Sequence, residues 1–418
     1  MQALILAGGE GTRLRPLTST VPKPVVPLVD RPFIAFMLDW LRGHGVDDVV
    51  MSCGHLASGV RNVLGDGSAY GVRLRYVEEP QPLGTGGALK FAESLLDERF
   101  LMLNGDVLTD LDVSAQLALH DARDAHATLA LTPVEDPTAY GLVRTLDDGE
   151  VTGFVEKPSP NQIDTRNISA GIYVLERSVL ELLEPEQPAS IERDVFPRLV
   201  GEGLYAYVGD GYWLDIGTPE RYLEGTFDIL EGTVATSVRD RMGESFVCME
   251  SGTENAGRVI PSALVERDCR IAAGARIGGR VVLETGVTIG ADTTVERTVV
   301  LRGSTIGSNC RLSGCIVAAG VEIGDDTHVE GLAVLGEGVT IGAGNVVSNG
   351  ARIFPGVTIP DGGLLFCWAR ARRSTRPPVR PSTRPARSAR RSASPSTCAT
   401  RSGASTRPRS RPSTPRAG

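Results

Sequence analysis

Ala3-Leu4-Ile5-Leu6-Ala7-Gly8-Gly9-Glu10-Gly11-Thr12-Arg13-Leu14 stands at the head of the 418-residue chain and decides how its first half is read. Five apolar residues running straight into glycines read as a short buried strand that stops at a sharp turn. Glycines at that turn let backbone N–H groups approach phosphate oxygens with no Cβ in the way. Arg13 can fork onto two phosphate oxygens and keeps its charge. The pattern is neither GxGxxG nor a P-loop, because no Gly-Lys-Ser/Thr follows. By itself it leaves a phosphate loop and a plain strand-to-helix connection equally open.

The residues beyond it alternate. Pro32–Gly45 has helical spacing, with Phe33, Phe36, Met37, Trp40 and Leu41 on one side. Asp48–Cys53 reads as a strand, Gly86–Glu98 as a helix and Phe100–Leu103 as a further strand. Strands alternating with helices imply a mainly parallel sheet covered on both faces, with its ligands beyond the carboxyl ends of the strands. This pattern fills residues 1–231. Residues 232–256 lack clear periodicity and read as a linker.

Residues 257–365 change character. Ile-Gly pairs begin at Ile277, Ile289, Ile306, Ile323 and Ile341, and Ile359-Pro360 takes the next place. The later steps approach 18 residues, three hexapeptides, which is one triangular coil of a left-handed β-helix. Val287, Val321, Val339 and Val357 are expected to point inward and stack, with the glycines turning corners at positive φ. A β-sandwich with glycine turns would not keep so regular a period.

Charge separates the body from the end. Fourteen of the 43 basic residues and none of the 51 acidic ones follow Asp361, so the body is near −22 and the tail near +14. An acidic body argues against nucleic acid as the main partner. Residues 366–418 are almost wholly Arg, Pro, Ser, Thr and Ala, too poor in apolar surface for a core. A disordered basic tail and out-of-frame translation of a GC-rich gene both account for that composition. The start lacks a basic leader, no apolar run approaches a membrane span of ~18 residues, and the seven Cys include no CxxC pair. A cytoplasmic protein with reduced thiols is expected.

Further motifs lie at the expected ligand edge. Val21-Pro22-Lys23-Pro24 should hold Val21 and Lys23 extended, fixing the direction of one ammonium, although a solvated Lys on a proline loop is the plainer reading. Leu103-Asn104-Gly105-Asp106 ends a strand in a carboxylate suited to Mg²⁺, or to a turn. Trp213-Leu214-Asp215-Ile216-Gly217-Thr218-Pro219 supplies a second carboxylate before a helix capped by Thr218 with Pro219 at its first position. Mg²⁺ in phosphoryl sites commonly takes one or two carboxylates plus substrate phosphate. Phe154-Val155-Glu156-Lys157-Pro158 offers an acid for a sugar hydroxyl and a base for a sugar phosphate, or only a surface ion pair. Glu79-Pro80-Gln81-Pro82-Leu83-Gly84-Thr85-Gly86-Gly87 opens a helix whose first N–H groups could bind an anion or read a base.

Together these motifs resemble the sugar nucleotidyltransferases that make NDP-sugars. Ser190-Ile191-Glu192-Arg193-Asp194-Val195-Phe196-Pro197, Cys315-Ile316-Val317, Val334-Leu335-Gly336 and Asn349-Gly350-Ala351 are similar to the mannose-1-phosphate guanylyltransferase branch. The resemblance covers about residues 1–365. It implies an α/β fold: a Rossmann-like, mixed but mainly parallel sheet, followed by a left-handed parallel β-helix. It implies that Leu6, Ala7, Gly8, Gly9, Gly11, Thr12, Arg13, Lys23, Gly84, Thr85 and Asn104 bind the nucleotide. Gly141, Glu156, Lys157, Ser169 and Gly171 would bind the sugar phosphate, and Asp106 and Asp215 Mg²⁺. Arg13, Lys23 and Lys157 would be catalytic. Ser169 stands where many members carry Asn, and a hydroxyl cannot make the two-ended contacts of an amide.

The reaction so implied is attack by a sugar 1-phosphate oxygen on the α-phosphorus of an NTP, with pyrophosphate leaving. GTP and mannose 1-phosphate are the favoured pair, with dTTP, UTP or ATP and glucose 1-phosphate as alternatives. A catalytically silent, NDP-sugar-binding regulatory subunit would be expected to have lost a metal Asp or the site Lys. A β-helix acyltransferase would need a His base, and His328, the only His there, is expected on the coil surface. Self-association through the β-helix is also expected, because stacked coils leave ends that need cover.

Overall fold

The computed structural model of the chain describes residues 1–364 apart from residues 55, 56 and 157. Residue 365 onward, which includes the basic tail, and the side chain of Glu156 lie outside the described residues.

Strand Gln2–Ala7 sits inside a nine-stranded mixed sheet, paired in parallel with Asp48–Cys53 on one side and Arg99–Asn104 on the other. Both faces of it are covered, which is why its apolar run shows no alternation. Arg73–Glu78 extends the parallel part. Asn167–Glu176 reverses direction and pairs with both Arg99–Asn104 and Ala127–Pro133. The carboxyl ends of Gln2–Ala7, Asp48–Cys53 and Arg99–Asn104 therefore share one edge.

The first helix runs Phe33–Gly43 and is not one-sided. Ile34, Met37, Leu38 and Leu41 join the core under the sheet, while Phe33 and Phe36 join a second core shared with the C-terminal half. Such a helix reads as amphipathic only until its second partner is known. The helix expected over Gly86–Glu98 is Gly84–Phe91 instead, followed by a separate 3-10 turn at Glu93–Leu95.

Three stacked parallel sheets of seven, seven and six strands form the β-helix. It begins earlier than expected: Val247–Met249 and Glu254–Asn255, inside the supposed linker, already pair with Ala263–Val265 and Arg270–Ile271. That first coil carries no Ile-Gly mark, so its sequence looked aperiodic. Ser237–Met242, also in that stretch, is a helix that buries Val238 and Met242.

The Ile column is corrected in one place. Ile271, Ile289, Ile306, Ile323, Ile341 and Ile359 stack directly. Ile277 lies on a different face, between Val259 and Val295. Ile271 is followed by Ala272, which hid the true first member. Gly286, Gly303, Gly320, Gly338 and Gly356 turn at positive φ as expected, whereas Gly290, Gly307, Gly324 and Gly342, directly after the column, do not. A Cβ on Gly290 would stand 2.4 Å from the backbone of Gly307, and one on Gly342 2.5 Å from the Asp361 nitrogen. These glycines are needed because coils touch backbone to backbone there. Val287, Val321 and Val339 are fully buried, but Val357, in the last described coil, is 40 % exposed and does not stack inward.

One face of the β-helix is apolar on both sides. Val265, Val281, Leu283 and Val300 face the solenoid core, whereas Leu264, Val282, Val299, Ile316 and Val334 face outward onto helices Pro219–Glu231 and Ser237–Met242. Tyr222, Phe227, Leu230 and Met242 fill that seam. Arg280 grips Glu231 with two bonds of 2.7 and 2.9 Å. Late coils reach the N-terminal half as well: Thr20 Oγ1 donates to Glu337 at 2.8 Å and Arg352 Nη1 to the Arg15 carbonyl at 2.7 Å.

Candidate active site

Every residue expected to bind the nucleotide, from Leu6 to Asn104, lines a single cleft of about 480 Å³ at the shared strand edge, together with Asp106, Gly217 and Glu79. Gly11 adopts φ 61° and caps a 3-10 turn over Thr12–Leu14. Its carbonyl accepts the Thr18 hydroxyl at 2.7 Å, and a Cβ there would press on Thr18 and Lys23 at 3.1 Å. The turn delivers Thr12 and Arg13 to the cleft wall. Gly8, Gly9 and Gly11 leave the backbone open to a ligand along the same stretch.

Lys23 is not extended. It opens a 3-10 turn, Lys23–Val25, in spite of the proline after it. An ion pair fixes its ammonium instead: Nζ lies 2.8 Å from Asp106 Oδ2, with the Lys23 side chain 11 % and the Asp106 side chain 37 % exposed. Tertiary pairing therefore overrides the local preference for extended geometry.

A two-stranded ribbon, Val107–Thr109 with Trp213–Asp215, brings the backbone at Asp215 beside the segment that follows Asp106. Asp215 pairs opposite Val107, and the Ile216 N–H donates to the Asp106 carbonyl at 2.8 Å. Asp215 lies behind Gly217, where an added Cβ would meet Arg13 Nη2 at 2.8 Å and Asp215 Oδ1 at 3.2 Å. Arg13 and Asp215 thus flank Gly217, and a side chain there would push the Arg13 guanidinium aside. Thr218 caps the following helix through the Arg221 N–H, with Pro219 in its first turn. Among the described residues no three His, Cys, Asp or Glu side chains cluster as a metal site. Two carboxylates, with remaining positions left to substrate oxygens and water, are a donor set that suits a hard cation such as Mg²⁺.

Gly141, Glu156, Ser169 and Gly171, expected on the sugar phosphate, are not among the residues that line this cleft, and neither is Asp215. Gly141 pairs directly with Glu156 in antiparallel register. Gly171, at φ 72°, packs on the Asn104 side chain, which an added Cβ would meet at 2.6 Å. Trp213 Nε1 donates to the Ala170 carbonyl at 2.8 Å, so the strand that carries Asp215 also holds this stretch of strand Asn167–Glu176. Tyr140 meets Trp213 edge to face, with centroids 5.8 Å apart. The Ser169 hydroxyl turns inward, 3.0 Å from the Tyr173 hydroxyl, and accepts the Gly171 N–H at 3.3 Å. Lys157 lies outside the described residues.

The second glycine loop is held rather than open. Gly86 and Gly87 N–H groups donate to the Ala189 carbonyl at 2.9 and 3.3 Å, which removes them as anion donors. Glu79 accepts the Ser52 hydroxyl at 2.8 Å and the Leu83 N–H at 3.3 Å, bracing the loop from below. Cys53, at the same strand edge, is buried, and burial followed by Glu78 pushes its thiol up to about 12, so it is no nucleophile. His328 is exposed on the β-helix face, stacked between Arg311 and Val346.

The family model described as nucleotidyl transferase matches residues 2–232. The chain belongs to the nucleotidyl transferase family. A second model, described as the GMPPB C-terminal domain, matches residues 259–362 of this nucleotidyl transferase. It is 38 % identical to a mannose-1-phosphate guanylyltransferase of Mycobacterium tuberculosis, over 88 % of this chain and 98 % of that one. Mannose-1-phosphate guanylyltransferase 1 of Arabidopsis thaliana is 34 % identical, over 85 % of this chain and 96 % of its own. A UTP–glucose-1-phosphate uridylyltransferase of Synechocystis is 36 % identical, over 55 % of this chain and 63 % of that one. Among the described residues no helix is long and apolar enough to cross a membrane.

Gly217, Trp213, Tyr140 and Glu192 carried no separate sequence signal as site residues. The first two stand inside the Trp-Leu-Asp-Ile-Gly motif, where Asp215 drew the attention. Glu192 stands inside Ser-Ile-Glu-Arg-Asp, whose chemistry shows only when its bonds are seen.

Proposed function

We propose that this nucleotidyl transferase joins GTP to mannose 1-phosphate, giving GDP-mannose and pyrophosphate. The observation that carries the reading is the single cleft that gathers the Gly8–Arg13 loop, Lys23 and Asp106 at one sheet edge. The similarity to guanylyltransferases along nearly the full chain supports the choice of substrates, whereas the uridylyltransferase aligns over little more than half of it.

Both substrates are anions, so their approach is opposed by charge. Gly8, Gly9, Gly11 and Thr12 would cradle the triphosphate, and Arg13 would fork onto its oxygens. Lys23, already aimed by Asp106, would meet charge developing on the α-phosphate. Thr85, Gly84 and Asn104 would lie along the nucleoside. Gly141, Glu156, Lys157 and Gly171 would hold the sugar 1-phosphate, so that its phosphate oxygen attacks the α-phosphorus as the bond to pyrophosphate breaks. Asp106 and Asp215 would hold Mg²⁺, which when bound supplies neutralising charge to the phosphates. No covalent enzyme intermediate is needed. In the cytoplasm, the expected compartment, both substrates would be at hand. The β-helix would join copies of the chain, and light scattering of the purified protein would read the assembly.

The test is a screen of GTP, dTTP, UTP and ATP against mannose and glucose 1-phosphates, read by pyrophosphate release. Turnover should be highest with GTP and mannose 1-phosphate. Release with another pair alone would reassign the substrates, and no release with any pair would leave a silent binding subunit.

A further inference from the structure

Three hydroxyl-bearing side chains converge on one carboxylate outside the cleft. Glu192 sits on a π-helical turn, Ile191–Val195, a geometry found mostly at functional positions. Its Oε2 accepts the Thr85 hydroxyl at 2.9 Å and the Ser190 hydroxyl at 2.7 Å, and its Oε1 accepts the Tyr173 hydroxyl at 3.2 Å. Tyr173 is 1 % exposed and in turn meets Ser169 at 3.0 Å. Thr85 lines the cleft, and Ser169 stands at the irregularity of strand Asn167–Glu176 that also carries Gly171. One carboxylate therefore ties the cleft at Thr85 to that part of the strand.

The bonds all point one way. Thr85 Oγ1 accepts the Ile191 N–H at 2.9 Å, Ser190 Oγ the Arg193 N–H at 3.3 Å and Ser169 Oγ the Gly171 N–H at 3.3 Å. A carboxylate accepts only. Each hydroxyl is thus left to donate toward Glu192, with Ser169 donating to Tyr173 and Tyr173 to Glu192. Burial, reinforced by Glu192, holds the Tyr173 hydroxyl protonated far beyond the ordinary tyrosine range, as a donor must be. Ser169 then turns only a lone pair toward any ligand beside it, which differs from an Asn that would offer an N–H there.

We propose that Glu192 is a positioning residue that sets the direction of the Ser169–Tyr173 hydrogen-bond chain and couples the cleft at Thr85 to the Ser169–Gly171 segment. This rests on the proposed assignment of that segment to the sugar 1-phosphate. Gln at 192 would present an N–H₂ to one partner, reverse the Tyr173 hydroxyl and free the Ser169 proton.

Steady-state kinetics with each substrate varied in turn tests it, using full-length wild type, Tyr173→Phe, Ser169→Ala and Glu192→Gln. Tyr173→Phe cuts only the sugar branch. It should raise KM for the sugar 1-phosphate by about twofold to tenfold, the effect of one neutral hydrogen bond, and leave KM for NTP within about twofold. Ser169→Ala should do the same if Tyr173→Phe folds poorly. Glu192→Gln should raise both KM values. In the Tyr173→Phe/Glu192→Gln double variant, the sugar effect should not exceed that of Glu192→Gln alone, because both break one chain. Equal effects of Tyr173→Phe on both substrates, or additive effects in the double variant, would overturn the coupling. Wild type releasing pyrophosphate while every variant keeps its KM values would sink this inference and leave the transferase reading standing. A wild type with no activity would take both down.

Discussion

Glu284→Gln probes the seam between the catalytic half and the β-helix through its pH dependence. Glu284 follows strand Val281–Leu283 and is 7 % exposed. Burial pushes its carboxyl up to about 7; the Arg302 N–H, donating to Oε2 at 2.9 Å, pulls the other way, while Glu266 and Asp30 add to the rise. In the unfolded chain the group titrates near 4.5. Between those values the folded protein holds a proton that the unfolded chain has released. The stability tied to this group is therefore fully present below pH 4.5 and is lost as pH rises through about 7. At ~1.36 kcal/mol per pKa unit, that interval sets a ceiling of about 3 kcal/mol on the loss. Gln keeps an acceptor for Arg302 without a charge to desolvate. The variant should match wild type near pH 4 and exceed it by about 1–3 kcal/mol at pH 8. Urea unfolding at the two pH values, followed by tryptophan fluorescence, measures the difference. A gap of the same size at both pH values would refute titration of Glu284 in this window.

Asp106→Asn and Asp215→Asn should each lower turnover by about tenfold to a hundredfold or more at saturating Mg²⁺ if both hold the metal as proposed, with unchanged far-UV circular dichroism, because both residues are only half-buried. Near-normal turnover in either would remove that residue from metal binding. Lys157→Met should weaken sugar 1-phosphate by roughly tenfold to a hundredfold and NTP little, the loss of one charge-assisted phosphate contact; an effect confined to NTP would put Lys157 on the other substrate. Arg352→Ala should cut kcat/KM by about threefold to tenfold without touching a substrate, because it releases the Arg15 carbonyl from the β-helix. Arg352→Lys should restore part of that, and identical kinetics for wild type and Arg352→Ala would show that the late coils do not steady the Arg13 loop.

Much of this was written locally. The apolar run Ala3–Ala7 is buried on both faces whichever neighbours it has, and Thr218-Pro219 starts a helix by its own chemistry. The Ile column was legible because stacked coils repeat one contact. What stayed hidden depends on partners far along the chain. Lys23 is turned by Asp106, 83 residues on. Ile271 belongs to the column although Ala272 lacks the glycine mark. Phe33 and Phe36 join a core whose other members, among them Leu214, Tyr222 and Phe227, come from far later in the chain, so no window of sequence around them reveals their second surface. The place of the Gly8–Arg13 loop at a cleft could be read from its glycines at a strand end, whereas the inward turn of Ser169 needed Tyr173 and Glu192 beside it.

The contacts of Glu337 and Arg352 with the loop around Arg15 turn the solenoid into a ruler. Coils of this kind are ordinarily free to be gained or lost whole, because each touches only its neighbours. Here, taking one out of the stretch between the Leu264 and Leu335 coils would draw everything beyond it back by one strand spacing, about 4.8 Å. Arg352 would then slide past the carbonyl it now holds at 2.7 Å. Coil number in this protein is therefore a fixed length, set by how far the tip must reach to rest on the loop at Arg15.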